Sequence, residues 1–155
     1  MAAPEQKEKV TEKEKKIIEY LLDVEDFKEI EVRVDDTDLM QVVHANKYLN
    51  YFDETFVSFL QKLNKNCGAL SKKGIVFPVR KCTIEYDKSA AFGDRILLHT
   101  RMIKVGNTSM TLSIDCYKNK KAKDSFLVNG VVVRLILDMN SNKLIKITEF
   151  FNDIV

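Results

Sequence analysis

The sequence has few of the residues that mark metal-binding or disulfide-stabilised proteins. Its three cysteines, Cys67, Cys82 and Cys116, are odd in number and form no CxxC pair, which argues against a disulfide framework or a zinc site. We expect them to be buried or half-buried free thiols. No cluster of His, Cys, Asp and Glu has metal-ligand spacing, and no glycine-rich phosphate loop is present. The sequence therefore predicts no metal site.

Charge and hydropathy argue against two classes of partner. The net charge of +2 is too small to predict a nucleic-acid partner. The longest apolar run, residues 131–137, is interrupted by Arg134 and is far shorter than the roughly 20 residues of a membrane span. The N-terminal residues contain no apolar segment typical of a secretory signal. We therefore expect a cytoplasmic protein that binds neither nucleic acid nor a membrane.

One long amphipathic helix, predicted over residues 45–63, dominates what is present. Its apolar residues recur at steps of three and four, which places them on one helix face. They are Ala45, Tyr48, Leu49, Phe52, Phe56, Phe59, Leu60 and Leu63. At 1.5 Å per residue the helix would be roughly 28 Å long, enough to cross a small domain. A loop with three carboxylates, Asp35, Asp36 and Asp38, precedes it.

Most of the chain after this helix is predicted to form strands. Residues 95–105 and 108–117 are joined at Gly106-Asn107, a tight-hairpin signal. Residues 74–86 form an extended segment in which Pro78 requires an edge or a bulge. Residues 125–138 are predicted to be the last long strand, and residues 144–147 a short one. Residues 64–73 are predicted to be a loop.

Two elements are predicted before the long helix. Thr11 and Glu14 have the spacing of a capping box, which indicates a short helix over residues 11–22. Residues 29–34 alternate between apolar and charged side chains, as in a half-buried strand. With 155 residues the chain has the size of one domain. The order helix, strand, long helix and successive antiparallel strands predicts an α+β fold.

With this order of elements, the sequence resembles a known family, the hot-dog fold acyl-CoA thioesterases of the 4-hydroxybenzoyl-CoA thioesterase type. The resemblance begins with the Asp36-Thr37-Asp38 loop and continues with Val42-Val43, Tyr48-Leu49 and Asp53. It extends through the Gly93-Asp94 turn and the hairpin of residues 106–109. It covers about residues 28–146, so a hot-dog thioesterase domain is expected over residues 28–155, with residues 1–27 as a polar extension containing a short helix.

The resemblance implies an antiparallel sheet wrapped around the long helix, and a homodimer or homotetramer with active sites between subunits. It assigns the catalytic carboxylate to Asp38 and the group that polarises the thioester carbonyl to the backbone N–H of about Ala45. A helix N-terminus suits the second task, because it presents free N–H donors and the positive end of the helix dipole. The carboxylate acts as a general base on water or as a nucleophile.

The substrate implied is an acyl-CoA or acyl-carrier-protein thioester, as in fatty acid metabolism, and no separate cofactor is implied because coenzyme A is part of the substrate. His44 and Asp53 are further candidates for catalysis, although each also suits a structural role on the helix. Substrate contacts are expected from Gln41, which stands where relatives have glycine, from Val43 and from Tyr48.

Lysines are expected to meet the phosphates of coenzyme A. Lys104, near one hairpin, is one candidate. Four others lie at the next hairpin tip, namely Lys118, Lys120, Lys121 and Lys123. A basic hairpin tip that is only solvated is the alternative.

Three alternatives to this function stay open. A non-catalytic hot-dog module would bind acyl thioesters as a sensor or scaffold, but such a module has no need for an acid at Asp38. A hot-dog hydratase needs a histidine in a loop rich in proline and glycine, and the two prolines, Pro4 and Pro78, are in the wrong places. A thioesterase for polyketide chains can lack the aspartate.

Overall fold

A computed structural model describes residues 9–155 of the chain, and it has the α+β architecture that the sequence predicts. The helices are α1 Glu12–Asp23, α2 Lys47–Lys62, α3 Cys67–Lys72 and α4 Ile147–Phe150. The strands are β1 Glu25–Glu31, β2 Ile75–Val76, β3 Val79–Tyr86, β4 Arg95–Val105, β5 Ser109–Lys118, β6 Phe126–Leu135, β7 Leu137–Asp138 and β8 Lys143–Leu144. No helix in this part of the chain is long and apolar enough to cross a membrane.

The main sheet has the strand order β1-β4-β5-β6-β3, and all neighbouring strands are antiparallel. Strands β2, β7 and β8 form a second, small sheet. Because side chains alternate along a strand, one face of β4 and β5 is mostly apolar and buried. Its residues are Ile96, Leu98, Thr100 and Met102 on β4, and Met110, Leu112, Ile114 and Cys116 on β5.

Helix α2 packs its aromatic face on this sheet. Phe52, Phe56 and Phe59 are at most 4% exposed. The ring of Phe52 lies directly over Gly130 of β6, where an added Cβ would come within 2.4 Å of the ring. Only glycine allows this approach, so the centre of α2 is held close to the sheet.

The predicted face of the helix needs two corrections at its edge. Leu49 is 44% exposed, whereas Tyr51 and Thr55, which were not assigned to this face, are buried. The hydroxyl of Thr55 forms a 2.7 Å hydrogen bond with that of Thr100 on β4. This buried bond satisfies two polar groups that would otherwise disfavour burial, and an apolar periodicity does not reveal it.

Several predicted boundaries differ from the structure. Strand β1 begins at Glu25 and ends at Glu31, so it crosses the boundary expected between residues 27 and 28, and residues 34–36 form a 3₁₀ turn instead. The predicted loop of residues 64–73 contains helix α3, whose N-cap Asn66 accepts a hydrogen bond from the Ala69 N–H. The extended segment of residues 74–86 is divided at Phe77 and Pro78.

The C-terminal predictions also need correction. The strand expected over residues 125–138 is interrupted at Ile136, where the chain passes from β6 in the main sheet to β7 in the small sheet. The short strand expected over residues 144–147 is Lys143–Leu144, and α4 follows it.

Helix α1 is part of the same packed unit. Its capping box forms as predicted between Thr11 and Glu14, and Ile17 and Leu21 are buried in the core. Glu14 also accepts a hydrogen bond from Thr148 and forms an ion pair with Lys146. These contacts join the N-terminal helix to the C-terminal segment. The first eight residues of the predicted extension lie outside the described residues.

Candidate active site

The loop that carries Asp38 is folded by a short backbone ladder. Thr37 and Val43 form an antiparallel bridge, and the His44 N–H donates to the Asp36 carbonyl at 2.9 Å. At the tip, the Gln41 N–H donates to the Asp38 carbonyl at 3.0 Å. Asp38 therefore lies opposite residue 42 in this ladder. Residue 42 is three residues before Ala45, so the Asp38 and Ala45 backbones are separated by on the order of 10 Å.

Gln41 occupies a left-handed backbone conformation, with φ of +62°. This conformation is strained for most residues and free of strain for glycine, so Gln41 stands at a position that favours glycine. The Gln41 carbonyl accepts a hydrogen bond from the Phe92 N–H, and residue 42 pairs with Ala91. The tip of the loop is therefore anchored on residues 91–92. The Gln41 side chain is exposed.

Asp38 is half-buried, and one oxygen of its carboxylate has no hydrogen-bond partner among the described residues. Its Oδ1 accepts a hydrogen bond from the Met40 N–H at 2.8 Å, a local bond typical of turn aspartates. Its Oδ2 accepts none from any described residue. The side chain thus shapes the turn with one oxygen and leaves the other available for a water molecule or a substrate.

Asp36 has a structural position. It is 8% exposed, and its Oδ2 accepts a hydrogen bond from the Arg33 N–H at 2.9 Å. Its carboxylate also lies beside the hydroxyl of Tyr51 on α2. Burial, and secondly this carboxylate, raise the pKa of Tyr51. Asp36 is therefore buried beside the helix, whereas Asp38 lies nearer the tip of the turn.

The start of α2 presents free N–H donors. The helix begins at Lys47, after the N-cap Asn46, so Ala45 precedes it rather than forming its first turn. The N–H groups of Ala45 and Asn46 donate to no acceptor among residues 9–155. The Ala45 carbonyl accepts a 2.8 Å hydrogen bond from the hydroxyl of Tyr86, at the end of β3. Unpaired donors at this end of a helix suit a developing negative charge.

Two of the expected substrate contacts lie inside the core. Val43 is 6% exposed, and its N–H donates to the Ala90 carbonyl at 2.8 Å. Tyr48 is 2% exposed and packs edge to face against Tyr51 and Tyr86. Burial raises the pKa of Tyr48 to about 12. Within one chain, both residues pack in the core beneath the Asp38 loop and the start of α2.

The two further catalytic candidates differ in their surroundings. The His44 side chain is exposed and has no hydrogen bond or ion pair within the described residues. Asp53 lies on α2 and pairs with Arg134 of β6, with 2.5 Å between Oδ1 and Nη2. The Arg134 side chain is 9% exposed, also donates to the Phe77 carbonyl, and lies 4.3 Å from the ring centre of Phe56. Asp53 therefore forms an ion pair with a buried arginine that is itself part of the packed core, which suits a structural role.

The expected phosphate contacts are divided between the two ends of the sheet. Lys104 lies nine residues along β4 from Arg95, roughly 30 Å from the end that holds the Asp38 loop. Within one chain it is therefore not part of this site. The tip between β5 and β6 lies at the same end as the loop, since Lys118 pairs with Ile96 in the sheet and its Nζ lies 3.6 Å from Asp94.

A groove of about 790 Å³ lies beside this hairpin tip. Its lining is basic and aromatic, with two acidic residues: Lys121, Lys123, Tyr86, Tyr117, Phe126, Glu85, Asp87 and Ala122. Tyr86 is thus shared between the groove and the start of α2. No sequence pattern predicts the role of Tyr86, because a contact between residues 41 positions apart leaves no signal in local spacing.

The three cysteines are free thiols, with Cys67 and Cys82 half-buried and Cys116 buried, as expected. Burial raises the pKa of each thiol, which disfavours the nucleophilic thiolate at neutral pH. Among residues 9–155, no group of three or more His, Cys, Asp or Glu side chains has an arrangement that could hold a metal ion.

Comparison with known proteins gives matches of sequence and of fold. Residues 40–124, more than half of the chain, match the thioesterase superfamily. A Bacillus subtilis (strain 168) protein, YneP, provisionally described as an acyl-CoA thioesterase, is 33% identical over 73 residues. These residues are 47% of this chain and 53% of YneP, so the match spans about half the length of that relative.

Solved thioesterase structures have the same fold. The DHNA-CoA thioesterase of Staphylococcus aureus superimposes with a TM-score of 0.75 at 22% identity, covering 83% of this chain and 85% of the other. The 4-hydroxybenzoyl-CoA thioesterase of Pseudomonas sp. strain CBS-3 gives 0.72 at 14% identity, covering 84% and 99%. The resemblance and the fold class inferred from the sequence are thereby confirmed. The chain belongs to the thioesterase superfamily and has the hot-dog fold.

Proposed function

We propose that this protein hydrolyses the thioester bond of acyl-CoA or acyl-carrier-protein substrates, with Asp38 as the reactive carboxylate. The observation that carries the proposal is the combination, in one folded-back loop, of a half-buried carboxylate with a free Oδ2 and unpaired N–H groups at the start of α2. Thioester hydrolysis needs these two functions, one to promote attack on the carbonyl and one to stabilise the oxyanion.

The N–H groups of Ala45 and Asn46 receive the thioester oxygen in this proposal. Negative charge develops on that oxygen as the carbonyl carbon becomes tetrahedral, and the positive end of the α2 dipole stabilises it. Asp38 either removes a proton from the attacking water or attacks the carbonyl carbon itself, giving an anhydride that water opens. In both routes the carbon–sulfur bond breaks, the thiol leaves with a proton, and a carboxylic acid is formed.

The groove next to the hairpin tip suits the coenzyme A portion of the substrate. Lys121 and Lys123 are exposed on its wall, where they can pair with phosphates, and Tyr117 and Phe126 offer aromatic faces. Tyr86 connects this groove to the helix start, so a thioester can reach the N–H groups while its phosphates stay near the lysines.

A second copy of the chain is part of the proposal, as the family resemblance implies. Four large apolar side chains around the Asp38 loop are exposed: Val34 at 69%, Leu39 at 104%, Met40 at 77% and Phe92 at 60%. An apolar surface of this kind favours coverage by another protein surface. A homodimer or homotetramer that covers them would complete the site from the neighbouring subunit, and analytical ultracentrifugation measures that state.

The test is thiol release from a panel of acyl-CoA substrates, from acetyl to palmitoyl and including benzoyl, by the wild type and by Asp38→Asn. Asparagine keeps the acceptor for the Met40 N–H, so the turn is preserved. We expect kcat to fall by about a hundredfold or more, roughly 2.7 kcal/mol of barrier. The control is Asp35→Asn in the same loop, where an exposed carboxylate pairs with Arg33, and its kcat should stay within about twofold.

Two outcomes would contradict the proposal. If Asp38→Asn retains wild-type kcat, another group performs the chemistry. If the wild type binds acyl-CoA without releasing thiol, and also leaves acyl-carrier-protein thioesters intact, the chain is a binding module for acyl thioesters.

A further inference from the structure

Tyr86 joins three parts of the candidate site. It is the last residue of β3, and its ring packs edge to face on Tyr48 with centroids 5.8 Å apart. Its hydroxyl donates to the Ala45 carbonyl at 2.8 Å. The side chain therefore spans from the sheet to the loop just before α2.

This hydrogen bond acts on one peptide unit. The Ala45 carbonyl and the Asn46 N–H belong to the same planar group and point in opposite directions, because the peptide bond is trans. A bond that fixes the carbonyl thus fixes the direction of the N–H. It also withdraws electron density from the amide, which strengthens the N–H as a donor.

The other end of this peptide is unoccupied. The Asn46 N–H donates to no acceptor among the described residues, and it lies at the positive end of α2. The Ala45 carbonyl is thus fixed by a hydrogen bond within the protein, whereas the N–H of the same peptide is free. This arrangement is expected of a donor that is oriented to bind a ligand.

We propose that Tyr86 is a positioning residue, which orients the Ala45–Asn46 peptide so that the Asn46 N–H stabilises the thioester oxyanion. This inference rests on the proposed thioesterase function and adds to it a residue from the opposite side of the site. Tyr86 itself does not contact the reacting atoms in this role.

The first test compares Tyr86→Phe with the wild type on the best substrate of the acyl-CoA and acyl-carrier-protein panels. The change removes only the hydroxyl and keeps the ring on Tyr48. We expect kcat to fall about tenfold, since misplaced donors slow a reaction without changing ground-state binding, while KM stays within about twofold. Tyr20→Phe, an exposed tyrosine on α1, is the control and should leave both constants unchanged.

The second test does not depend on turnover. In amide NMR spectra, the Asn46 signal should shift in Tyr86→Phe, while signals from α1 stay in place. Binding of a CoA ketone analogue with a carbonyl should weaken several-fold, whereas binding of an S-alkyl-CoA thioether, which lacks that carbonyl, should not change.

The outcomes separate the two proposals. Unchanged kcat in Tyr86→Phe, or equal weakening of both analogues, overturns the positioning role, as does a lowered kcat accompanied by a large fall in Tm. If the wild type hydrolyses no thioester, the proposed function fails. The Asn46 signal then decides alone, and an unshifted signal overturns the role of the Tyr86 hydroxyl.

Discussion

The two ends of α2 differ in whether the backbone N–H groups beside them have hydrogen-bond acceptors. At the N-terminal end, the Ala45 and Asn46 N–H groups have no acceptor among residues 9–155. At the C-terminal end, the N–H groups of residues 63–65 return to the carbonyls of Leu60 and Gln61, and Asn64 takes the left-handed conformation common after helices. The N-terminal end, at residues 45–46, is therefore called the open end, and the C-terminal end, at residues 63–65, the closed end.

Side chains increase this contrast. Near the closed end, Lys62 donates to the Glu25 carbonyl and Lys65 pairs with Asp153 at 2.9 Å. Helices α1 and α4 cover the core there. Near the open end, Asp38 keeps one oxygen free and large apolar side chains are exposed. The backbone and side chains at the closed end thus form contacts within the protein, whereas polar groups at the open end stay available for a ligand.

The largest effect on stability that would test this comparison is expected at the closed end. Leu21→Ala removes a fully buried side chain of α1, and we expect the free energy of unfolding to fall by about 2–5 kcal/mol. Well below the melting temperature, kcat and KM should stay unchanged, because the open end keeps its geometry. Chemical denaturation and thiol-release kinetics measure the two effects.

The control for Leu21→Ala is Leu22→Ala on the same helix. Leu22 is 42% exposed, so its replacement should change stability by no more than about 0.5 kcal/mol. A loss of activity in Leu21→Ala at full folding would show that the two ends are coupled.

The elements of the fold also differ in how well the sequence predicts them. The capping box predicted α1, apolar periodicity predicted α2, and the Gly106-Asn107 hairpin signal predicted β4 and β5, because each of these patterns depends on neighbouring residues. Helix α3 was missed, since its signal is a single capping Asn66 in a short polar segment. The Leu49 position was wrong because the helix is rotated slightly relative to the face that its apolar residues define.

Predictions for the site were limited by the same locality. The resemblance carried by the Asp36-Thr37-Asp38 motif assigned the catalytic carboxylate to Asp38, but local spacing does not reveal the backbone ladder that folds the loop or the burial of Asp36 beside Tyr51. Lys104 seemed equivalent to the hairpin-tip lysines in sequence, yet it lies at the other end of β4. Tyr86 and Arg134 act through partners far away in the chain, so no local pattern singles them out.

An intermediate effect is expected from lysines at opposite ends of the sheet. Lys123→Gln removes a charge from the groove near the open end, and we expect KM for acyl-CoA to rise about three- to tenfold, an effect of roughly 1 kcal/mol. Because the contact is exposed, the increase should shrink at high ionic strength. Steady-state kinetics at two salt concentrations measure it.

Lys104→Gln is the matched change at the other end, and its KM should stay at the wild-type value. If the two variants raise KM equally, the phosphates of coenzyme A do not bind specifically at the open end. A KM that changes only in Lys104→Gln would assign the contact to a neighbouring subunit.

The smallest effect is expected from the half-buried ion pair between Glu14 and Lys146, which joins α1 to the C-terminal segment. The hydrogen bond and charge of Lys146, with bonds from Thr11 and Thr148, lower the pKa of Glu14 below its ordinary 4.5. A lowered pKa in the folded state means that this contribution is complete above about pH 4.5. It is lost as the pH falls through the lowered value, because the folded state must then take up a proton at a cost.

Glu14→Gln should therefore lower Tm slightly at neutral pH, and its difference from the wild type should narrow as the pH falls below about 4.5. Glu12→Gln is the control, because among residues 9–155 Glu12 pairs only with exposed Lys15 in the same helical turn, and it should show a smaller difference at every pH. Thermal unfolding between pH 3 and 7 measures both. A difference for Glu14→Gln that stays constant with pH would mean that shape, rather than charge, joins α1 to the C-terminal segment.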